Sequence, residues 1–389
     1  MKLNQMSGRE RWMSALLGKP VDRIPNWLLS PLNFDPTENF TNHFALDWKM
    51  DSRYRKMMTE FSGLGLIDEI RQVSIYPFNR YLLIPQKFIE NKTVIQKDSV
   101  TMERAAVVHT PHGDLFTLSE TKRGVNTGWA TRYPVQSLAD LQKLASVPFE
   151  IDYNEIDRNY QQFDSVRKKL GDNGIVRTFL SSPIVTISGC MSFELFLELS
   201  YLEKDYILEL LNMITDRYIQ VLTAIFEKYD YDAIFWFGGS EQCTPPMMNP
   251  LSWDEFVLPF DKKLVDFLKS RGKYAGCHCH GKIRHALECM IRVGYQATDP
   301  VEPPPQGDLT IDEALEISGG RLTLIGNFEF DELENRDSAY LVNRTLEIMK
   351  HKDKRIILGA SAIPISRLSD RLIDNYYAVM NTYKNYYEI

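Results

Sequence analysis

The sequence predicts a (β/α)8 TIM-type barrel with an N-terminal helical and β-rich elaboration. Two observations support this fold class: short apolar runs alternate with amphipathic stretches after residue 170, and unusual polar residues directly follow those runs. Strands that alternate with helices form parallel βαβ units, which leaves a doubly wound sheet or a closed barrel. In a barrel the carboxyl ends of the strands converge on one mouth, and the positions of the polar residues favour that arrangement.

The apolar runs predicted to be strands cover residues 174–180, 231–237, 274–279, 297–301, 322–327 and 355–360. The main helices are predicted over residues 193–229, 283–293 and 366–387. Polar motifs follow five of the strands: Gly238-Gly239-Ser240-Glu241, His278-Cys279-His280-Gly281, Glu302-Pro303-Pro304-Pro305, Gly326-Asn327 and Gly359-Ala360-Ser361. No glycine-rich phosphate loop follows any strand, so a nucleotide-binding fold has no support.

No low-complexity linker divides the chain, so a single barrel domain is predicted over residues 1–389. Residues 1–150 are expected to be an N-terminal elaboration packed on the barrel, and residues 170–389 contain the clearest alternating units. The elaboration begins with a helix over residues 7–17, where Ser7 and Glu10 have the spacing of a capping box. Residues 81–84 and 105–108 are predicted strands, and residues 110–114 a turn.

The net charge of −7 and the isoelectric point near 5.6 argue against a nucleic-acid or anionic-membrane partner, since both require a basic surface. A small-molecule substrate or a protein partner is expected. The five cysteines are an odd number, and three of them fall close together, which favours a reducing compartment over a disulfide framework. No apolar leader and no run of ~18 apolar residues is found, so a cytoplasmic protein is predicted.

The segment Cys277-His278-Cys279-His280-Gly281 is the strongest candidate for chemistry. Residues two apart in a strand share one face, so only the histidine pair or the cysteine pair can face the mouth. His278 and His280 can ligate one metal ion, such as zinc, if Glu302 or Glu241 supplies a third ligand. Alternatively, both histidines are hydrogen-bonding members of a polar pocket without metal. An inward cysteine pair would give a thiolate site or inert, packed thiols.

Several neighbouring side chains carry weaker signals. Glu302 precedes three prolines that fix the backbone just past a strand, so it can orient a histidine, bind a metal or act as a base. Glu241 follows an apolar strand and would point into the mouth. Asp308 is predicted to cap the helix that begins near Ile311. Structural or solvated positions are predicted for the remaining candidates, Trp236, Phe237, Cys289, His109, His112, His285 and His351.

The chain resembles the uroporphyrinogen decarboxylase-like superfamily, which includes the decarboxylase of haem synthesis and methyltransferases that work with corrinoid proteins. The resemblance extends over nearly the whole length and implies a (β/α)8 barrel. Its markers are Gly8-Arg9-Glu10-Arg11, Leu17-Gly18-Lys19-Pro20-Val21-Asp22-Arg23-Ile24-Pro25, His278-Cys279-His280-Gly281, Val301-Glu302-Pro303-Pro304-Pro305-Gln306-Gly307-Asp308-Leu309 and Ile325-Gly326-Asn327.

Within the superfamily the chain is more similar to the corrinoid-linked methyltransferases. True decarboxylases carry arginines that bind substrate carboxylates near the N-terminus, and residues 24–33 contain none. The methyltransferases hold zinc with His-x-Cys-Gly and a later cysteine, where this chain has His278, His280 and Ala360-Ser361-Ala362. Both thiolates are missing, which implies a harder metal site of His278, His280 and Glu302. Asn327 and Ser361 are the expected cofactor-binding positions.

The leading hypothesis is an enzyme that moves a methyl group from a small O- or N-methyl substrate to a corrinoid (cobalamin) protein. Glu302, Glu241, His278 and His280 are its expected catalytic residues. Because no Asp-x-His-x-x-Gly motif is present, the cobalamin would come from a partner protein. One alternative is a metal-free lyase or decarboxylase in which Glu302 or Glu241 handles the proton. Another is a non-catalytic barrel that binds cobalamin or a tetrapyrrole.

Overall fold

A computed structural model describes residues 5–28, 48–92, 94–125, 127–364 and 367–389. Its main feature is a curled sheet of seven parallel strands in the order β1-β7-β8-β9-β10-β11-β12. These strands are β1 (Glu69–Gln72), β7 (Gly174–Ser181), β8 (Ile234–Gly238), β9 (Tyr274–His278), β10 (Ala297–Val301), β11 (Thr323–Phe328) and β12 (Ile356–Ala360). A separate antiparallel sheet contains β2 (Ile89–Asn91), β3 (Ile95–Gln96), β4 (Thr101–Val108), β5 (Leu115–Lys122) and β6 (Gly128–Arg132).

Helices cover the outside of the curled sheet. In the first half of the chain they are α1 (Gly8–Leu16), α2 (Ser52–Gly63), α3 (Leu138–Ala145), α4 (Tyr153–Leu170), α5 (Pro183–Ser188), α6 (Phe193–Leu202) and α7 (Lys204–Lys228). In the second half they are α8 (Ser252–Phe256), α9 (Leu258–Ser270), α10 (Arg284–Val293), α11 (Ile311–Ser318), α12 (Phe330–Asn335), α13 (Ser338–Met349) and α14 (Asp370–Tyr386). No helix among the described residues is long and apolar enough to cross a membrane.

The two edges of the curled sheet are linked by a single-residue bridge rather than by a full strand. Asn26 pairs in parallel with Leu358 of β12, and the amide of Leu358 donates to the carbonyl of Pro25 at 2.9 Å. On the other side, the amide of Asp68 donates to the carbonyl of Asn26 at 3.0 Å, directly before β1 begins. The predicted α/β class is thus confirmed as a curled sheet of seven parallel strands. The predicted closed barrel of eight strands is not reached within the described residues, where one short segment links the two edges of the sheet.

The apolar residues form two layers, inside and outside the sheet. The outer core packs the sheet against the helices. The inner cluster fills the amino-terminal half of the curl and is closed from below by Trp12 and Leu16 of α1. It includes inward side chains from six strands, two of them from β8: Ile70, Ile175, Ile234, Trp236, Ala297, Ile325 and Ile357. The lower half of the curl is therefore packed, and only its upper end can bind a ligand.

A buried ion-pair network ties the beginning of the chain to β1 and α14. Arg11 contacts Asp22 at 2.6 Å and Asp68 at 2.5 Å, and Arg23 contacts Asp68 at 2.8 Å. Arg23 also donates to the hydroxyl of Tyr383 on α14 at 2.6 Å. Because every charge in this group has a partner, the network is tolerated in the interior. The opening motif of the sequence thus holds the amino-terminal face together and lies away from the upper end of the sheet.

Several local predictions are confirmed and several are wrong. Ser7 and Glu10 form the predicted capping box at the start of α1. The strand predicted over residues 81–84 is instead a 3-10 helix, Tyr81–Leu83, and the helix predicted over residues 193–229 is divided into α6 and α7. The last helix begins at Asp370, and Ser366 lies outside the described residues.

The predicted cap at Asp308 is also wrong. Thr310 caps α11, forming a capping box with Glu313. Asp308 instead accepts a hydrogen bond from the amide of Arg284 at 3.1 Å. The capping box offers two reciprocal bonds, so it takes precedence over a single acidic residue two positions earlier.

Candidate active site

A cavity of about 420 Å³ opens at the carboxyl ends of the sheet strands. Strand alternation directs side chains into it from β1, β7, β9 and β10. Except for Phe179 of β7, the aromatic side chains come from segments outside the sheet. The polar lining includes Gln72, Arg177, His278, His280, Asp299 and Ser361. The aromatic lining consists of Trp27, Trp48, Tyr54, Phe179 and Tyr376. The cavity is thus an apolar slot with polar groups at its base, the usual form of a small-molecule site.

His278 is held by a buried carboxylate at the base of the cavity. Its Nδ1 atom lies 3.0 Å from Oδ2 of Asp299, whose other oxygen accepts a hydrogen bond from the indole of Trp236. Burial by itself raises the pKa of Asp299, but the charge and hydrogen bond of His278, with help from Arg177, hold it below its usual value. Asp299 is therefore ionised, and its bond to Nδ1 turns Nε2 of His278 toward the cavity.

His280 has the same arrangement with a different carboxylate. Its Nδ1 atom lies 2.8 Å from Oε1 of Glu302, and Oε2 of Glu302 accepts from the amide of Gly281 at 2.5 Å. Burial lowers the pKa of His280, but Glu302, Glu241 and Asp299 outweigh that effect and raise it. The pKa of Glu302 is lowered because its bonds to His280 and Gly281 exceed the effect of burial. Glu302 thus orients His280 from behind and does not line the cavity.

The two imidazoles form a matched pair. Their ring centroids are 4.7 Å apart and their planes are nearly perpendicular, at 88°. Neither Nε2 atom has a hydrogen-bond partner among the residues that the structure describes. Each ring therefore offers a free nitrogen to whatever enters the cavity, while a carboxylate fixes the nitrogen on its far side.

The cysteines of the same segment face the other way. Cys277 and Cys279 are fully buried in the outer core between the sheet and the helices. Burial is the main cause that raises the pKa of both thiols well above their usual range. An inward thiolate site is thus excluded for this pair, which packs as small apolar side chains.

Arg177 is a buried cation beside the histidines that sequence reasoning missed. Its guanidinium carbon lies 5.2 Å from the ring centroids of both Trp27 and Trp236. Its Nη2 atom donates to Gln72 at 3.2 Å. The Nη1 atom lies 3.7 Å from Oδ2 of Asp299 and has no hydrogen-bond partner among the described residues. Although burial lowers the pKa of Arg177, an arginine stays charged in proteins, so the cavity wall has a positive group.

Two further carboxylates contribute negative charge near His280. Glu241 lies in the 3-10 helix Ser240–Cys243 after β8, and Glu329 directly follows β11. One buried oxygen of each, Oε2 in both cases, has no hydrogen-bond partner within the described part of the chain. Burial raises the pKa of Glu329, an effect that its contact with Ser361 opposes. The surroundings of His280 therefore suit a cation, even though Glu241 does not line the cavity.

The two predicted cofactor-binding residues lie in different places. Ser361 lines the cavity, and its hydroxyl accepts from the amide of Phe330 at 2.9 Å. Asn327 is buried behind the cavity wall, where it donates to the carbonyl of Val301 and accepts from Arg344, both at 2.8 Å. The side chain of Asn327 is thus used to join β10 to α13.

The predicted metal ligands are only partly brought together. His278 and His280 converge, but both oxygens of Glu302 are engaged by Nδ1 of His280 and the amide of Gly281. In the described residues, the group of three possible ligands whose atoms all lie within 4.8 Å of one another is Asp254, His285 and Cys289, away from the cavity. A metal at the histidine pair would thus have two protein nitrogens and would need a third ligand from Glu241, Glu329, water or substrate.

Sequence reasoning also overlooked most of the cavity wall. Arg177 and Asp299 lie within strands that read as apolar runs, and Trp27 and Tyr376 are far apart in the chain. Arg177 and Asp299 could have been recognised as candidate site residues from one feature of the sequence, a charged side chain within an otherwise apolar strand. Nothing in the sequence pattern places Trp27 and Tyr376 in the wall of one cavity, because that placement depends on how the two ends of the chain meet over the sheet.

A curled parallel sheet with carboxylate-oriented histidines at its carboxyl edge defines an enzyme of the α/β-barrel class. Residues 124–363, more than half of the chain, match the family model of uroporphyrinogen decarboxylase (URO-D). The chain belongs to the uroporphyrinogen decarboxylase family. Among curated proteins, no sequence matches it significantly.

The chain matches two solved structures to different degrees. A methyltransferase from Methanosarcina mazei superimposes with a TM-score of 0.62 at 16% sequence identity, covering 98% of this chain and 100% of that one. A radical SAM methyltransferase from Sphaerobacter thermophilus gives a TM-score of 0.21 at 8% identity, covering 73% and 84% of the two chains. The first shares the fold of this protein, and the second match is too weak to support any argument.

Proposed function

We propose that this protein is a methyltransferase that moves a methyl group from a small O- or N-methyl substrate to a corrinoid carried by a partner protein. The observation that carries the proposal is the pair of free Nε2 atoms of His278 and His280, each backed by a carboxylate on Nδ1. Family membership and the fold shared with a methyltransferase support the choice of reaction.

The histidine pair fits a zinc ion in its donor chemistry. A histidine that binds a metal through one ring nitrogen commonly donates a hydrogen bond to a carboxylate from the other. Nδ1 of His278 contacts Asp299 in this way, and Nδ1 of His280 contacts Glu302. The unpaired oxygens of Glu241 and Glu329 add negative charge that a cation would balance. With no thiolate in the set, a bound zinc would act as a Lewis acid toward the oxygen or nitrogen that loses its methyl group.

The remaining cavity residues bind and orient the substrate. Aromatic rings from Trp27, Trp48 and Tyr54 form walls suited to a flat ring or to a methylammonium group. These walls also exclude water, which strengthens the electrostatic contacts inside the cavity. When the methyl carbon leaves, the electron pair stays on the oxygen or nitrogen, and His278 and His280 lie at the cavity base where that atom can be stabilised.

The test is methyl transfer to reduced cobalamin together with metal analysis. A panel of methoxyaromatic and methylammonium compounds would be incubated with the purified protein and cob(I)alamin, and methylcobalamin would be followed by absorbance. His278→Ala and His280→Ala are expected to lose methyl transfer and one bound metal per chain. His112→Ala, at an exposed position of a turn, serves as the matched control. Full activity in both cavity variants would overturn the proposal, and cobalamin binding without turnover would favour a non-catalytic barrel.

A metal-free decarboxylase is the second candidate, and one observation favours it. Nη1 of Arg177 is buried at the cavity wall without a hydrogen-bond partner among the described residues, which suits a substrate carboxylate. After loss of carbon dioxide, a proton must replace it, and the His280–Glu302 pair or Glu241 could supply that proton. Release of carbon dioxide from a carboxylated substrate by metal-free protein would favour this reaction over methyl transfer.

A further inference from the structure

A second group of metal-binding side chains lies in the helical layer, outside the cavity. Asp254 belongs to α8, while His285 and Cys289 belong to α10. Residues four apart lie on one face of a helix, so His285 and Cys289 both face α8. None of these three residues lines the cavity at the strand ends. Sequence reasoning treated His285 as solvated and Cys289 as an apolar contact, and the group is formed only when the two helices pack.

The three ligand atoms converge on one point. Nε2 of His285 lies 2.5 Å from Oδ2 of Asp254 and 3.6 Å from Sγ of Cys289. All three ligand atoms lie within 4.8 Å of one another. In a tetrahedral zinc site with bonds of about 2.0–2.3 Å, neighbouring ligand atoms are about 3.3–3.5 Å apart. The histidine and the thiol already have nearly that spacing, and the carboxylate must move from the histidine by less than ~1 Å.

We propose that Asp254, His285 and Cys289 bind a zinc ion that joins α8 to α10, with a fourth position open to water or an external ligand. One sulfur, one imidazole nitrogen and one carboxylate oxygen are a donor set that favours zinc over magnesium or calcium. The side chains of His285 and Asp254 are 29% and 32% exposed, so the ion can enter from solvent while the buried Cys289 closes the inner side.

Arg292 completes the site from outside. Its Nη1 atom lies 2.5 Å from Oδ1 of Asp254, so the oxygen that would bind the ion is Oδ2, which contacts His285 when no ion is bound. The same nitrogen is 3.9 Å from Sγ of Cys289, where its charge opposes the burial and the Asp254 carboxylate that raise the pKa of this thiol to about 12. A bound ion would displace the thiol proton, as metals do when a cysteine binds them. A partner that holds the second oxygen of a ligating carboxylate is the usual support for a metal site. Without metal, the same side chains form the hydrogen-bonded cluster described above.

Cobalt substitution separates this site from the cavity. The protein would be stripped of metal with a chelator and titrated with Co²⁺, which produces a near-ultraviolet charge-transfer band when a thiolate is a ligand. The histidine pair of the cavity has no thiolate, and within the described residues no other cysteine belongs to a group of three converging ligands. A thiolate band with one equivalent of Co²⁺ is therefore expected from Cys289, and its absence from the wild-type protein would overturn the proposal.

Four variants make the assignment specific. Cys289→Ala and His285→Gln should each lose the charge-transfer band and one zinc per chain, with little change in methyl transfer. Cys243→Ala, which removes another buried thiol, should keep the band. The double variant His278→Ala/His280→Ala should also keep the band. The test of this site therefore does not depend on whether the proposed methyl transfer is correct. A band that persists in Cys289→Ala would contradict the site, as would unchanged zinc content in both single variants.

Discussion

Nδ1 of His278 lies 3.0 Å from Oδ2 of Asp299, and the second oxygen of that carboxylate accepts the indole hydrogen bond of Trp236. Both oxygens of a buried acid are thus used to set the orientation of one ring. Nε2 of His278 faces the cavity as a consequence. The role of Asp299 is to position His278, because its own oxygens are occupied.

Replacing Asp299 with asparagine should lower methyl transfer by about 10–100-fold, the usual cost of losing such a support. The amide keeps the shape of the side chain but lacks the charge that favours a proton on Nδ1 of His278. We expect most of the loss in kcat, with KM little changed, and a matching loss of bound metal from the cavity.

Trp236→Phe is the matched control for this prediction. It removes the indole donor to Asp299 but leaves the bond between Asp299 and His278. Its activity should fall less than that of Asp299→Asn. Equal activity of Asp299→Asn and wild type, measured with both proteins folded by circular dichroism, would show that Asp299 does not position His278.

Arg177 should select for substrates that carry an anionic group. Its Nη1 atom lacks a hydrogen-bond partner among the described residues, and the charge sits between two indole rings at the cavity wall. Arg177→Met should raise KM at least ~10-fold for methoxybenzoates, since a charged hydrogen bond contributes about 1.5–3 kcal/mol. Neutral methoxybenzenes should be affected much less. An equal change in KM for both classes would mean that Arg177 acts through packing alone.

Asp261 should make stability depend on pH. It is fully buried on α9, accepting from Ser182 at 2.7 Å and from Tyr295 at 2.6 Å. Burial raises its pKa to about 7, from an ordinary value of 3.8, despite those two hydrogen bonds. Between these values the folded chain keeps a proton that the unfolded chain has lost, so stability falls as pH rises from about 4 to about 7 and then levels off.

The measurement is urea unfolding of wild type and Asp261→Asn at several pH values. The asparagine variant lacks the titrating group, so its stability relative to wild type should increase from pH 4 to 7 and stay constant above that. Other groups titrate equally in both proteins and cancel in the difference. Parallel stability curves would show that Asp261 is ionised in the folded chain throughout this range.

Strand alternation was enough to predict that only one pair of the segment 277–280 faces inward, because the two faces of a strand are fixed by its backbone. The resemblance to the family, and not the alternation, selected the histidines as that pair. The contact of Glu302 with His280 also follows from sequence, since both residues end neighbouring strands. The sequence does not show what Glu302 does once it is there. A carboxylate within reach of a histidine can accept from Nδ1 or bind a metal, and in the structure its bond to the amide of Gly281 holds Glu302 against Nδ1. The difference depends on atomic positions that residue spacing does not specify.

Charged residues inside apolar strands were harder to predict than residues at strand ends. Asp299 and Arg177 were read as parts of strands, although each points into the upper part of the curl. Their burial is tolerated because they contact each other and His278, and those partners come from three different strands. Pairing across strands is set by register, so the sequence alone could not show that these charges are compensated. The cluster of Asp254, His285 and Cys289 could not be predicted either, because it depends on how α8 packs against α10.

Gly276 of β9 should be intolerant of any side chain. A Cβ atom at this position would lie 2.5 Å from the ring of Trp236, well inside contact distance. The ring cannot move freely, because its nitrogen is bonded to Asp299 and its face contacts Arg177. Gly276→Ala should therefore destabilise the fold by about 1–3 kcal/mol through overpacking, and should lower activity by displacing Asp299 from His278.

The comparison for Gly276→Ala is Gly63→Ala, at the end of α2, where an added Cβ meets nothing within 4 Å. That substitution should be neutral or slightly stabilising, since alanine is favoured over glycine in a helix. Unfolding free energies and rates of methyl transfer would be measured for both variants. A double variant, Gly276→Ala with Trp236→Leu, should regain part of the lost stability because the smaller side chain makes room for the methyl group. Activity should not return with it, since the bond that holds Asp299 against His278 is then missing; recovery of both would place the defect in packing alone.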